Sequence, residues 1–579
     1  MNAIRFYISV FLIIFLISCS GKKDISVTVV ATTDIHGTIL PFDYTEGTEA
    51  ATSLASVAGY LKDNFTDRSS VVLLDNGDNL QGQPAVYYYN FIDTVSPHLL
   101  SEAFNLLGYD AVSVGNHDIE AGHQVYDRIR KEYDFDMLAA NAVDITTGEP
   151  YFKPYTILKK KGLKIAVLGL TTPYIPNWLP PQLYSGMKFA DMTETAEKWM
   201  KEISGKKPDL IIGLFHSGWD KRRMTDDKEE MAENGSASVA YNVRGFDLII
   251  NGHDHSLANE KIVNRFGDTV LILDGGSSNR NLMRADIKLR KNGKRIEGRL
   301  IDLKEVKPDE SFKEYFAKRH EILKDYTGQV IGESKRELSS REAYFGPSAF
   351  MSMIHTLQLE ISDADISFAA PLSFDATISK GPVTVGDMFR LYRYENMLYT
   401  MSLTGKEIKD YLEHSYGLWI NTVKEKGDNL LLLRKDKAGN LLMNDGRARL
   451  ANPPYNFDSA EGINYTVDVT KETGSRISVS SFTDGRPFDM NGKYLVAINS
   501  YRGSGGGGHL TEGAGLDSEQ IKERLVSSTV KDLRYYMIEL ISKRKVFDPT
   551  VTDNWKFIPV ELAERSRTKE YDLLFNKKQ

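Results

Sequence analysis

Between Ile25 and about Asp274, short and nearly continuous apolar runs alternate with stretches whose apolar residues recur at helical spacing. The runs Ile25–Ala31, Val71–Asp75, Ala111–Val114, Lys164–Leu170, Leu210–Phe215, Leu248–Ile250 and Val270–Leu273 predict strands. Pro97–Leu107, Gln124–Glu132 and Thr193–Ile203 predict helices. Strands that are apolar on both faces and joined by helices imply buried sheets in a layered α/β domain. Leu282–Leu289 and Arg295–Leu303 read as antiparallel strands that close this domain. Pro308–Tyr326 reads as one charged amphipathic helix serving as a linker, and a second α/β domain follows. The expected boundaries are 25–305 for the first domain, 306–330 for the linker, 331–562 for the second and 563–579 for a frayed polar tail. Gly505–Gly508 is a local loop signal, and no internal repeat is present.

The chain opens differently. Ile8–Ile17 is almost wholly apolar, too short for a comfortable membrane span but suited to the core of a signal peptide over residues 1–18. Leu16-Ile17-Ser18-Cys19 resembles a bacterial lipobox, which implies that Cys19 is acylated. The expectation is an exported lipoprotein held at a membrane, facing the periplasm or the cell surface. Cys19 is the only cysteine, so disulfides and thiolate metal sites are excluded from the mature chain. The net charge of −7 and pI near 6.0 argue against non-specific binding of nucleic acid polymers. A small anion would need a local positive site.

Five polar clusters each follow a predicted strand: Asp34-Ile35-His36, Gly77-Asp78, Gly115-Asn116-His117-Asp118, His216, and Gly252-His253-Asp254-His255. Ligands converge at the carboxyl ends of strands in α/β sheets. Nitrogen and carboxylate donors without sulfur suit Mn, Zn, Fe, Co or Ni better than Ca or Mg. Any one cluster is weak, since a single histidine after a strand is more often satisfied by the core. Together, in order, they resemble the calcineurin-like metallophosphoesterase signature over about Val27–Asn281.

That resemblance implies two divalent metal ions. Asp34, His36, Asp78 and His255 would hold one; Asp78, Asn116, His216 and His253 would hold the other, with Asp78 bridging. Two cations, two carboxylates and a bridging hydroxide leave one positive charge to attract phosphate, and the hydroxide would attack phosphorus. His117 would protonate the departing ribose oxygen. The family often pairs this histidine with an aspartate three residues on; here Glu120 stands there, and its longer side chain leaves its part open. Asp118 and Asp254 read as structural acceptors, and the other histidines as ordinary core or surface residues.

In the second half, Leu391-Tyr392-Arg393-Tyr394-Glu395-Asn396, Tyr455-Asn456-Phe457-Asp458 and Asn499-Ser500-Tyr501-Arg502-Gly503 complete a resemblance to the bacterial 5′-nucleotidase/cyclic phosphodiesterase family. It implies that Tyr394 and Tyr501 clamp a nucleobase and that Asn396 contacts it. Stacking suits any base, although core packing is the ordinary use of a tyrosine. Two departures set the branch. Ala369-Ala370-Pro371 replaces a glycine-rich stretch of the 5′-nucleotidases, and Gly507 stands where those enzymes carry a ribose-binding aspartate. Both point to 2′,3′-cyclic-nucleotide 2′-phosphodiesterases/3′-nucleotidases. A 5′-nucleotidase or nucleotide-sugar hydrolase on the same metals is the enzymatic rival. A non-catalytic surface lipoprotein that binds nucleotides or a host partner is the rival of another class.

Overall fold

The apolar runs of the first half become two stacked sheets. The computed structural model describes residues 24–225, 231–290, 293–425, 427–444 and 446–576. The signal segment and Cys19 lie outside the described residues. The sandwich strands are β1 (Ile25–Thr32), β2 (Val71–Asp75), β3 (Ala111–Ser113), β4 (Asp136–Leu138), β5 (Tyr155–Lys160), β6 (Leu163–Thr171), β7 (Leu210–His216), β8 (Leu248–Asn251), β9 (Leu257–Val263), β10 (Thr269–Gly275), β11 (Asn281–Arg290) and β12 (Gly293–Asp302). The first sheet is six-stranded in the order β12-β11-β1-β2-β3-β4, and the second is six-stranded in the order β9-β10-β8-β7-β6-β5. β1 to β4 run parallel, as do β6, β7, β8 and β10, while β5, β9, β11 and β12 add antiparallel edges.

Why the central strands are apolar on both faces is now plain. Val27, Val29, Val72 and Leu74 meet Val167, Ile212, Leu214 and Ile250 in the core between the sheets. The opposite faces are covered by helices. Leu99–Leu107 and His123–Glu132 pack on the first sheet, Met192–Gly205 on the second. Thus β11 and β12 pair antiparallel and close the first sheet.

Two expectations change. The segment read as one linker helix is two helices, Glu310–Tyr315 and Ala317–Gly328, broken at Phe316. Phe312, Phe316 and Leu323 are buried in the first domain's core, so the segment is fastened to that domain rather than spanning free. Nor is the tail frayed where it is described, up to residue 576. Helix Val560–Phe575 buries Leu573, Leu574 and Phe575 against the second half. Within it Glu570 accepts the backbone N–H groups of Leu430 and Leu431 at 2.6 and 2.8 Å. Its polar letters hid one apolar face and one buried acceptor.

The second half is built on a five-stranded sheet in the order Ser459–Glu461, Ile366–Ala369, Lys493–Asn499, Met397–Thr404, Leu525–Asp532. One first-half side chain is buried inside the second half. Tyr87, in a helix that follows the Asp78 loop, is 1% exposed and lies within the core of the second half. Its hydroxyl donates to Asp532 at 2.8 Å, and the Arg534 guanidinium sits 5.0 Å from its ring.

Candidate active site

The parallel strands of both sheets deliver the five polar clusters to one end of the sandwich. Asp34 and His36 follow β1, Asp78 follows β2, and Asn116 begins a short helix after β3. His216 ends β7, while His253 and His255 occupy the turn between β8 and β9. The backbone there is strained. Asp34, His36, Asp78, His253 and His255 have φ of 48°, 46°, 58°, 83° and 56°. A side chain in this left-handed region costs about 1–2 kcal/mol per residue, so the fold holds these groups in place against local preference. Asp118 supplies much of that hold. It accepts N–H bonds from Asp78, Asn79, Leu80 and Gly115 at 2.8–3.1 Å. Two glycines of the motifs are explained by close approach: a Cβ on Gly115 would meet Asp78 Oδ1 at 2.1 Å, and one on Gly252 would meet Thr33 Oγ1 at 2.1 Å.

Two triads of donors result, Asp34/His36/His255 and Asp78/His216/His253, each with its donor atoms within 4.8 Å of one another. The triads adjoin, since His216 Nε2 is 3.1 Å from Asp78 and 4.0 Å from Asp34. Their orientation suits metal. His216 donates from Nδ1 to the Asn76 carbonyl at 2.6 Å, and His36 does so to Gln81 at 3.2 Å. Such bonds fix the tautomer and leave Nε2 as the ligand atom. Asn116 Oδ1 is buried without a hydrogen-bond partner, while His216 Nε2 faces the Asp78 carboxylate. An unsatisfied buried polar atom costs about 1–3 kcal/mol, which a bound cation would recover. His36 Nε2 and His255 Nε2 stand 3.0 Å apart. Two imidazole lone pairs at that distance repel unless a proton or cation lies between them. The donors fit a pair of divalent ions whose identity the donor set leaves open.

Charge follows the same geometry. Burial pushes His36 down to about 4, against the pull of Asp78. Burial also opposes charge on His216, yet Asp78 and Asp34 raise it to about 10. Asp34 and Asp78 are lowered by the histidines despite burial, first of all by His216.

His117 stands beside this group, its ring 5.5 Å from that of His36. The Glu120 carboxylate contacts its Nδ1, so the longer side chain does reach the histidine. Burial disfavours the imidazolium, but Asp78 and then Glu120 raise His117 to about 9. Asp254 accepts from Trp219 N–H at 2.9 Å and from Ser256, consistent with a structural part.

The second half places Tyr394, Glu395 and Asn396 opposite these groups. Glu395 is raised to about 8, by burial first, and it feels the charges of Glu120 and His117 across the cleft. Tyr394 is half-buried and meets Tyr455 edge-on at 6.2 Å. Tyr501 is half-buried on the short helix Ser500–Gly503, with the Arg502 guanidinium 5.4 Å from its ring. Tyr455, Tyr394 and Glu233 all influence Tyr501, so these rings share one neighbourhood. Asn396 is 7% exposed and its side chain lies against Tyr392, more enclosed than a simple base contact suggests.

Several supporting residues were not legible beforehand. Asp75 accepts from Gly77, Thr32 and Asn79 beneath the Asp78 loop. Glu233 lies 3.3 Å from His253 Nε2. Asn76 and Gln81 act through main-chain carbonyls, which carry no sequence signal. Arg502 is fully buried between Asp458, Tyr455 O and Gly506 O; only its place beside Tyr501 hinted at it.

Comparison with known proteins agrees with this arrangement. Residues 27–257 match the calcineurin-like phosphoesterase family, and 330–512 match the 5′-nucleotidase C-terminal domain. The chain is 26% identical to the trifunctional nucleotide phosphoesterase protein YfkN of Bacillus subtilis, over 93% of its own length but 39% of that protein's. It is 25% identical to a 2′,3′-cyclic-nucleotide 2′-phosphodiesterase/3′-nucleotidase of Haemophilus influenzae, over 93% of this chain and 88% of the relative. The solved 5′-nucleotidase precursor of Thermus thermophilus has the same fold, with a TM-score of 0.60, 20% identity, and coverage of 92% of this chain and 100% of that one.

Proposed function

We propose that this chain, a calcineurin-like phosphoesterase joined to a 5′-nucleotidase C-terminal domain, hydrolyses 2′,3′-cyclic nucleotides and 3′-nucleotides to nucleoside and phosphate. The adjoining Asp/His triads at the sandwich end carry the reaction class. Asp34, His36, Asp78, Asn116, His216, His253 and His255 would hold two divalent cations. When bound, these supply Lewis acidity toward phosphate oxygens and lower the pKa of water. The chain's own groups do the rest. His117, held at Nδ1 by Glu120, presents Nε2 as proton donor to the departing 2′ oxygen and then to the 3′ oxygen. Tyr394 and Tyr501 hold the base, which sets how far the ribose reaches toward the triads.

Phosphate position follows from Gly507. Its φ is +72°, and a Cβ there would meet Arg502 Nη1 at 2.0 Å and Asn456 Oδ1 at 2.7 Å. Arg502 cannot swing aside, because Asp458 and two carbonyls pin it. An aspartate at 507 would thus pay both strain and displacement. In a cyclic substrate the 2′ and 3′ oxygens are esterified and donate no hydrogen bonds, so an acidic acceptor there would have no partner. The test is chromatographic product analysis with 2′,3′-cyclic AMP, 3′-AMP and 5′-AMP, with and without chelator. The cyclic substrate should pass through 3′-AMP to adenosine, 5′-AMP should be much poorer, and chelation should stop all turnover. Preference for 5′-AMP would overturn the substrate reading while leaving the phosphoesterase intact. Tyr501→Ala should raise KM on nucleotides by the ~1–3 kcal/mol of a lost stack, and spare small aryl phosphates. Equal effects on both substrate types would remove Tyr501 from the clamp.

Export and anchoring rest on the Cys19 segment. No helix among the described residues is long and apolar enough to cross a membrane. Cys19→Ala should shift the protein out of the membrane pellet with intrinsic activity retained. A wild-type protein found wholly in the soluble fraction would remove the anchor.

A further inference from the structure

One cavity adjoins the site, and a second shares a wall with it. The first, about 350 Å³, lies between the halves and is lined by His36, Arg390, Arg393 and Phe374, among others. The second, about 740 Å³, is lined by Phe374, Arg434, Arg447, Arg449 and Pro454. Phe374 belongs to both, and Asp375 on the first pairs with Arg447 on the second at 3.6 Å. The first begins beside His36 and the two meet at Phe374; Arg393 and Pro454 on their walls are the chain neighbours of Tyr394 and Tyr455.

Part of the positive charge on these walls is paired internally and part is not. Arg390 pairs with Glu46 and Asp387 at 3.2 and 3.1 Å, and Asp375 answers Arg341 and Arg447. Arg393, Arg434 and Arg449 are exposed and have no acidic partner among the described residues. Arg434 and Arg449 stand side by side, the N–H of one strand donating to the carbonyl of the other at 2.7 Å. Asp43, Glu46 and Asp375 line the first cavity beside Arg390 and Arg393, so among the described residues the excess of positive charge lies at the Arg434/Arg449 end. A single nucleotide, with base in the clamp and phosphorus at the triads, leaves the Arg434/Arg449 cavity without a use.

This inference rests on the nucleotide reading above. A 2′,3′-cyclic or 3′-phosphate ends a chain, so such a substrate can be extended only from its 5′ oxygen. We propose that the two cavities act as one groove, which binds the 5′ extension of a short single-stranded oligoribonucleotide whose terminal 2′,3′-cyclic phosphate lies at the Asp/His triads. The arginines would follow the backbone phosphates, and half-buried Phe374 offers a ring on which one further base stacks. Overall acidity still disfavours long polymers; the groove offers local contacts for a few phosphates.

The experiment compares wild-type enzyme with Arg434→Ala/Arg449→Ala. The substrates are 2′,3′-cyclic AMP and an adenosine trinucleotide ending in 2′,3′-cyclic phosphate. Wild type should show higher kcat/KM on the trinucleotide, and the double variant should lose about tenfold of it, as two solvent-facing ion pairs would give. Its turnover of 2′,3′-cyclic AMP should be unchanged, which also shows that it folds. A fluorescent trinucleotide with a free 3′ hydroxyl, titrated by anisotropy, reads the groove without turnover. Its log–log salt slope should flatten by about 1.4 in the variant, from about 0.7 per phosphate contact on single strands. Trinucleotide binding equal in both proteins, or trinucleotide turnover no better than the mononucleotide's, overturns the groove. Failure of wild type on both substrates would instead overturn the nucleotide reading, and the anisotropy would still decide the groove.

Discussion

Replacing Asp78 by asparagine should leave far less than two metal ions per chain and nearly abolish turnover. Asp78 belongs to the second triad, and the family resemblance makes it the bridging ligand. Its Oδ1 accepts the His117 N–H at 2.8 Å, its Oδ2 lies 3.1 Å from His216, and its charge acts on His36. Asparagine keeps the shape and one acceptor oxygen, so the loop tied by Asp118 should persist. What it removes is the negative charge that lets two cations sit close together. The several kcal/mol such cations contribute to a charged transition state correspond to about 10³-fold in rate or more. Metal analysis of the purified variant is the direct measurement. Thermal unfolding is the second, because a ligand that binds only the native state raises its stability. Chelation should lower the wild-type Tm and barely move that of the variant. A variant with two ions and full activity would refute the assignment.

The second large effect is expected at His117, and it should be of a different kind. His117→Ala should keep both ions yet cut turnover of nucleotides by about 10²–10⁴, the usual range for lost general acid catalysis. A ribose oxygen is a poor leaving group without a proton, whereas a nitrophenolate needs none. The deficit should therefore shrink on nitrophenyl phosphates. Glu120→Gln should show the same leaving-group dependence in milder form, since Glu120 acts through the His117 ring. An equal loss on both substrate types would return His117 to a role in ordering the site.

What could be read from the letters alone follows from range. Each candidate cluster is a strand end plus two or three residues, so local spacing carries it: β1, β2, β3, β7 and β8 were all legible as apolar runs with polar stops. Glu120 was the doubtful case, because the reach of one carboxylate depends on the turn of a helix only five residues long. The segment after Pro308 misled because charge dominated its composition while Phe312 and Phe316 carried its energy. The tail misled for the same reason, with Glu570 buried and bonded rather than solvated.

The sequence by itself therefore pointed to the reaction class, the candidate Asp/His donors and the two-part architecture, because those depend on residue type at short spacing. Tertiary structure alone decided the rest. It brought His255 within 3.0 Å of His36 across 219 positions, and it sent Tyr87 from the first half into the core of the second. It filled the space at Gly507 with Arg502, and it set a cavity with three arginines across Phe374 from the one beside His36. Contacts of that sequence separation leave no periodicity in the chain, and a guanidinium reads the same in the letters whether paired, buried or free.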